Sequence, residues 1–187
     1  SSFSEARYTE PMCGIAGFVS IAPLSGAMPI LARMTGAIVH RGPDASGFYY
    51  DSHAYLGHRR LSIVDLTSGG QPMHNETGSH VIVYNGEIFN HAGIRPELEQ
   101  AGHRYASHHS DTETILHGFE QWGPQSLERF RGMFAFAVWD RDQHKLFAAR
   151  DRLGIKPFYY YWDGKAFAFA SEIKALLEHP GISAEFY

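Results

Sequence analysis

Two stretches of this chain, Cys13–Val19 and Met133–Val138, are apolar at nearly every position and too short for a core helix. Read as strands, they place alternate residues on opposite faces, so both faces need cover. Turn signals fix how such strands pair. Asp51-Ser52 separates Phe48–Tyr50 from Ala54–Leu56, and Asp163-Gly164 separates Phe158–Trp162 from Lys165–Ala170 in the manner of a type I′ hairpin. Met133–Trp139 and Lys145–Arg150 form another hairpin pattern, and Val81–Tyr84 is a further β-branched strand. Helical spacing appears over Ala27–Val39 through Met28, Leu31, Met34 and Ile38. Ser110-Asp-Thr-Glu113 reads as a capping box opening a helix that Gly123-Pro124 ends. Shorter helices are expected over Gln125–Arg131 and Glu172–Glu178. Hairpins outnumber strand–helix–strand units, which favours two stacked antiparallel sheets with helices outside.

Bulk properties narrow the function. A length of 187 residues suits one domain, and 19% charged against 44% hydrophobic residues indicates an ordered globular chain. A net charge of −4 with scattered basic residues gives no footprint for nucleic acid or an anionic membrane. No apolar run approaches the roughly 18 residues of a membrane span. Ser1–Met12 differs in texture from the rest of the chain and reads as a leader, tag or propeptide. It lacks the basic start and apolar stretch of a secretory signal. The single cysteine cannot form an internal disulfide, which fits a reducing compartment, and the cytoplasm is expected.

Individual polar residues say little. The twelve histidines form no His-Glu-x-x-His motif and have no further cysteines beside them, so no metal site is expected. Ser68-Gly69-Gly70-Gln71 lacks the Gly-Lys-Ser/Thr of a phosphate loop. A lone Cys13 is by residue type a small buried hydrophobe. Asn85-Gly86 alone reads as a turn after a strand, Asp111 as a helix-start residue, and Arg60 as a surface cation.

Taken in order, however, nine segments resemble one family. They are Met12-Cys-Gly-Ile-Ala-Gly17, His40-Arg-Gly-Pro-Asp44, Arg60-Leu-Ser-Ile-Val-Asp65, Gln71-Pro-Met73, Asn85-Gly-Glu-Ile-Phe-Asn90, Ser110-Asp-Thr-Glu113, Gly132-Met-Phe-Ala-Phe-Ala137, Arg150-Asp-Arg-Leu-Gly-Ile-Lys-Pro157 and Ser171-Glu-Ile-Lys-Ala-Leu176. Together they resemble the class II, N-terminal-nucleophile glutamine amidotransferases, and among these the glutaminase domain of asparagine synthetases. The resemblance implies an α+β fold: a four-layer αββα sandwich of two antiparallel sheets, of the Ntn-hydrolase type, over residues 13–187. It implies that Cys13 becomes the first residue, that its thiol attacks the carboxamide of L-glutamine, and that its free α-amine acts as base. Asn85 and the Gly86 N–H would hold the oxyanion, with glycine at 86 letting substrate approach the backbone. Arg60 would bind the α-carboxylate, Glu87 and Asp111 the α-ammonium, and the backbone of Ile63 and Val64 would line the pocket. Arg41, Asp44, Arg150 and Asp151 would support the site or the fold.

The same resemblance implies a partner synthetase domain or subunit that uses the ammonia. ATP and magnesium would belong there, and no cofactor is expected in this domain. A homodimer is compatible with it. With Ser1–Met12 attached, the Cys13 nitrogen is an amide and cannot serve as base. Two other readings stay open: a non-catalytic glutamine-binding or scaffold module with a blocked Cys13, and an amidotransferase whose acceptor is not aspartate.

Overall fold

The computed structural model describes residues 12–61 and 70–183. In chain order the elements are β1 (Gly14–Ser20), α1 (Ala27–Gly36), β2 (Ala45–Tyr50), β3 (Ala54–Arg60), β4 (Met73–His74), β5 (His80–Ile88), α2 (His91–Gln100), α3 (Asp111–Trp122), a 3-10 turn leading into α4 (Ser126–Arg129), β6 (Gly132–Asp140), β7 (Lys145–Arg150), β8 (Tyr159–Trp162), β9 (Ala166–Ala170) and α5 (Ile173–Leu176). The strands form one sheet in the order β2-β3-β1-β9-β8 and a second in the order β4-β5-β6-β7. Each of these pairings is antiparallel.

The pleat sorts the apolar strands as their composition demands. On β6, Phe134, Phe136 and Val138 join Ile82, Tyr84, Ile115 and Leu116 beneath α2 and α3. The alternate residues Ala135, Ala137 and Trp139 face the other sheet, with Val81, Val83, Ile15, Leu56 and Phe169. On β1, Ile15 lies between the sheets, while Ala16 and Phe18 pack under Leu31 and Met34 of α1, Ile38 just beyond it, and Leu176 of α5. Four layers result, helix–sheet–sheet–helix, the expected αββα sandwich of two antiparallel sheets. Each fully buried large side chain here, such as Phe136 or Leu31, contributes about 1.5–3 kcal/mol relative to exposure.

Several local expectations change. Strand β5 runs to Ile88, so Asn85 and Gly86 are not a turn but part of the ladder, opposite Ala135 and Phe134. The last hairpin turns one residue later than expected. Asp163 N–H donates to Ala166 O at 3.4 Å, leaving Gly164 and Lys165 as the loop. Gly164 has φ +88° and Lys165 has no positive φ, a type II′ pattern, since type I′ needs positive φ at both loop residues. The Asp163 carboxylate accepts the N–H groups of Lys165 and Ala166, both at 2.8 Å. At α3 only half of the capping box forms. Ser110 Oγ accepts Glu113 N–H at 3.3 Å, but the Glu113 carboxylate turns to the backbone of Ala106 and Ser107. Helix α2 has no counterpart in the sequence pattern. Its buried residues are only Ile94 and Leu98, and Pro96 interrupts the periodicity.

One polar residue sits inside the inter-sheet layer. His58 follows Ala54 and Leu56 on the same face of β3 and is 2% exposed. Burial holds its pKa down to about 4, against a backbone hydrogen bond to Tyr84 that pulls the other way. The folded ring therefore stays neutral while the unfolded one, with the ordinary value of 6.5, takes up a proton. Stability should be unaffected by this group above pH 6.5 and should fall between pH 6.5 and about 4, by on the order of 3 kcal/mol. Urea unfolding midpoints at pH 7 and pH 4.5 measure it. A His58→Gln variant should lose that part of the slope, and an unchanged slope would remove His58 as its source.

Candidate active site

Strand alternation aims the chemistry at one end of the sandwich. Residues 54, 56, 58 and 60 share a face of β3, and 81, 83, 85 and 87 share a face of β5. In both strands the early members lie between the sheets, so Arg60, Asn85 and Glu87 continue the same face towards the rim. Cys13 stands two residues before Ile15, which also faces the inter-sheet layer. Near this rim lies a cavity of about 570 Å³ lined by Cys13, Asn85, Gly86, Glu87, Asp111 and Lys156, among others. A depression of about 600 Å³ around Arg141 and His144, at the opposite end of the strands, is more open and holds none of these residues.

Cys13 is half-buried and makes only weak sulfur contacts, with Leu61 N–H at 3.5 Å and Leu61 O at 4.0 Å. Its backbone is held more firmly. Arg41 Nε donates to Cys13 O at 3.3 Å, and Arg41 Nη1 pairs with Glu172 at 3.2 Å. Burial pushes the Glu172 carboxyl up, but His40, Lys174 and Arg41 outweigh it and hold the group below the usual carboxylate range. Ser171 fixes the next turn of chain: Ile15 N–H donates to Ser171 Oγ at 3.0 Å, and Ser171 N–H donates to Ile15 O at 2.9 Å. Arg41 thus positions Cys13 through its carbonyl and does not reach the sulfur.

Asn85 is 3% exposed and its Nδ2 has no hydrogen-bond partner among the described residues. A buried amide left unpaired costs about 1–3 kcal/mol, which a ligand oxygen in the cavity would offset. Gly86 has φ +154°, and a Cβ there would lie 2.2 Å from Met133 O and 2.7 Å from Phe134 Cα. The glycine is therefore required by the neighbouring strand β6, a different reason from substrate approach.

Asp111 is the first residue of α3. Its Oδ2 accepts the Tyr84 hydroxyl at 2.6 Å and Ile88 N–H at 2.9 Å. Burial, then Asp111 itself, pushes the Tyr84 phenol well above its ordinary range, so it remains a donor. Tyr84 N–H donates to Gln71 Oε1 at 2.6 Å. Asp111 thereby joins α3 to β5 on the cavity wall, and Glu87 lines the same cavity from an exposed position. Arg60 ends β3, half-buried, one residue before Leu61, and is not among the described residues lining the cavity. Ile63 and Val64 lie outside the described residues.

Of the supporting residues, Asp151 is a loop organiser. Its carboxylate accepts the N–H groups of Phe134 at 3.2 Å, Leu153 at 3.2 Å, Ile155 at 2.8 Å and Lys156 at 2.9 Å. It pins the loop after β7 to the residue paired with Gly86. Arg150 donates to Gly154 O within that loop. Asp44 is exposed, and its N–H donates to Arg60 O at 3.1 Å. Sequence reasoning missed Gln71, His91, His109 and Lys156 as cavity-lining residues. Gln71 and Lys156 fall in segments that carried the resemblance, whereas His91 and His109 carried no signal. The Lys156 ammonium is buried and lies 2.7 Å from Met12 Sδ.

Among the described residues no helix is long and apolar enough to cross a membrane. The family model described as a glutamine amidotransferase domain matches residues 12–186. The chain is 44% identical over 176 residues to asparagine synthetase [glutamine-hydrolyzing] 3 of Bacillus subtilis, covering 92% of this chain and 28% of that protein. It is 45% identical over 141 residues to asparagine synthetase B [glutamine-hydrolyzing] of Escherichia coli, covering 74% of this chain and 25% of that one. The chain thus spans about a quarter of the length of these relatives. Among solved structures, the glutamine phosphoribosylpyrophosphate amidotransferase of B. subtilis superposes with a TM-score of 0.71 at 21% identity, over 88% of this chain and 43% of that one. That likeness concerns the fold. With the family model spanning nearly the whole sequence, this chain belongs to the glutamine amidotransferase domain family.

Proposed function

We propose that this domain hydrolyses L-glutamine to glutamate and ammonia. Cys13, as the first residue of the working chain, presents both thiol and α-amine. The amine takes the thiol proton as sulfur attacks the carboxamide carbon. The oxyanion that forms is held by Asn85 Nδ2 and the Gly86 N–H. Collapse expels ammonia with the returned proton and leaves a thioester, which water cleaves to glutamate, regenerating the thiol. Arg60 binds the α-carboxylate, Glu87 and Asp111 the α-ammonium, and the backbone of Ile63 and Val64 completes the pocket. The observation that carries this reading is the buried, unpartnered Asn85 amide on the wall that also holds Cys13.

The ammonia passes to an ATP-dependent synthetase domain of the asparagine-synthetase type, where ATP and magnesium are used. The names of the relatives support aspartate as acceptor, and the single cysteine supports a cytoplasmic setting. Incubating the chain that begins at Cys13 with glutamine should release glutamate and ammonia in equal amounts. Glutamine binding seen by calorimetry without any turnover would overturn the hydrolytic reading in favour of a binding module.

A further inference from the structure

At the middle of α3, away from the glutamine cavity, the fold gathers two imidazoles and two carboxylates. His117 and Glu120 come from successive turns of α3, His103 from the segment before it, and Glu76 from the turn between β4 and β5. One ligand atom from each residue lies within 4.8 Å of all the others. His117 Nδ1 is 3.3 Å from Glu76 Oε2 and 3.7 Å from Glu120 Oε2, while His103 Nδ1 is 3.6 Å from both Glu76 Oε1 and Glu120 Oε2. A tetrahedron with metal–ligand bonds of about 2.0–2.1 Å has edges of about 3.3–3.4 Å. None of the His117 contacts is a hydrogen bond, and the separations are close to such edges.

A second, independent feature points to a ligand. The His117 side chain is 1% exposed, yet neither ring nitrogen has a hydrogen-bond partner among the described residues, and Glu120 Oε2 is likewise buried without a hydrogen bond. The outer contacts are those that orient metal ligands. His103 Nε2 is 3.1 Å from Gln121 Oε1, Asn75 Nδ2 donates to Glu120 Oε1 at 2.9 Å, and Arg104 N–H donates to Glu76 Oε1 at 3.4 Å. The first two contacts leave His103 Nδ1 and Glu120 Oε2 for the centre, and Glu76 Oε2 faces His117.

We propose that Glu76, His103, His117 and Glu120 bind one divalent ion of the zinc class, tetrahedrally and without an open position. Two nitrogens and two oxygens in that geometry suit zinc over magnesium or calcium, which take six or more oxygens. Four protein ligands leave no place for a substrate, so the ion is structural. It ties the β4–β5 turn and the α2–α3 segment to α3, whose first residue is Asp111. The sequence expectation of no metal rests on local motifs, and these ligands come from three separate segments.

Elemental analysis of the purified, untagged chain should find about one zinc per chain after dialysis. Removing it with a chelator should lower the melting temperature by about 5 °C, with zinc but not magnesium restoring it. Cobalt(II) added to the stripped protein should give the intense visible bands of a tetrahedral site. Glu76 is exposed, so Glu76→Gln should fold normally while weakening zinc binding at least about tenfold. Trace metal with unchanged melting after chelation, or equal zinc affinity in Glu76→Gln, would overturn the site and leave a histidine–carboxylate ion-pair network in its place.

Discussion

Alanine at position 13 is expected to reduce glutamate release from glutamine to background, a loss of at least about 10⁴-fold, as removal of a nucleophile does. The fold should not notice. Cys13 precedes β1, is half-buried, and its sulfur makes only long contacts to Leu61. The same logic applies to the nitrogen of that residue. A chain in which Met12 remains joined to Cys13 offers an amide where a base is needed, and Met12 itself forms part of the cavity wall. Such a chain should be slower by about 10²–10⁴-fold, the usual contribution of a positioned base. The chain starting at Cys13 should show kcat/KM rising with pH towards about 8, the ordinary α-amine range. Intact mass and glutamate release measured on the same sample decide the matter. Undiminished turnover from a chain still bearing Ser1 would show that the base lies elsewhere.

Asn85→Ala should lower kcat by about 10²–10³-fold with little change in KM, because the amide is needed where charge develops on the substrate oxygen. The free protein should lose no stability, which a melting comparison checks directly. In the absence of substrate the Nδ2 group is buried without a partner, so its removal takes away an unsatisfied donor and not a bond. That pairing of a large kinetic loss with an intact melting transition separates an oxyanion donor from a residue that merely maintains β5. A raised KM with unaltered kcat would instead assign Asn85 to ground-state binding.

How much of this is legible in the residues alone depends on whether the signal is local. The two-faced apolar strands demand a sandwich, and the split of β6 into Phe134, Phe136 and Val138 against Ala135, Ala137 and Trp139 meets that demand. Helix α2 escapes because two buried residues and an internal proline give almost no periodicity. The late turn at Gly164 escapes because the Asp163 carboxylate, by capping Lys165 and Ala166, chooses the loop register. Asn85-Gly86 looks like a turn because the pair is common in turns. What keeps it in a strand is the close approach of Met133 and Phe134, which only the folded sheet supplies. The proposed glutamine site is legible through the order of nine segments, each uninformative singly. The cluster at Glu76, His103, His117 and Glu120 has no such pattern, since tertiary packing alone makes those residues neighbours.

The pleat that sorts the core also limits how this enzyme family can vary. Arg60, Asn85 and Glu87 reach the rim because each lies an even number of steps from a residue locked between the sheets. Strand length near the rim is consequently quantised: a single inserted residue would invert every side chain beyond it, whereas two would preserve orientation and merely extend the wall. Drift in this region is therefore channelled into the connecting loops, and the chemical groups stay phased with the hydrogen-bond ladder that carries them.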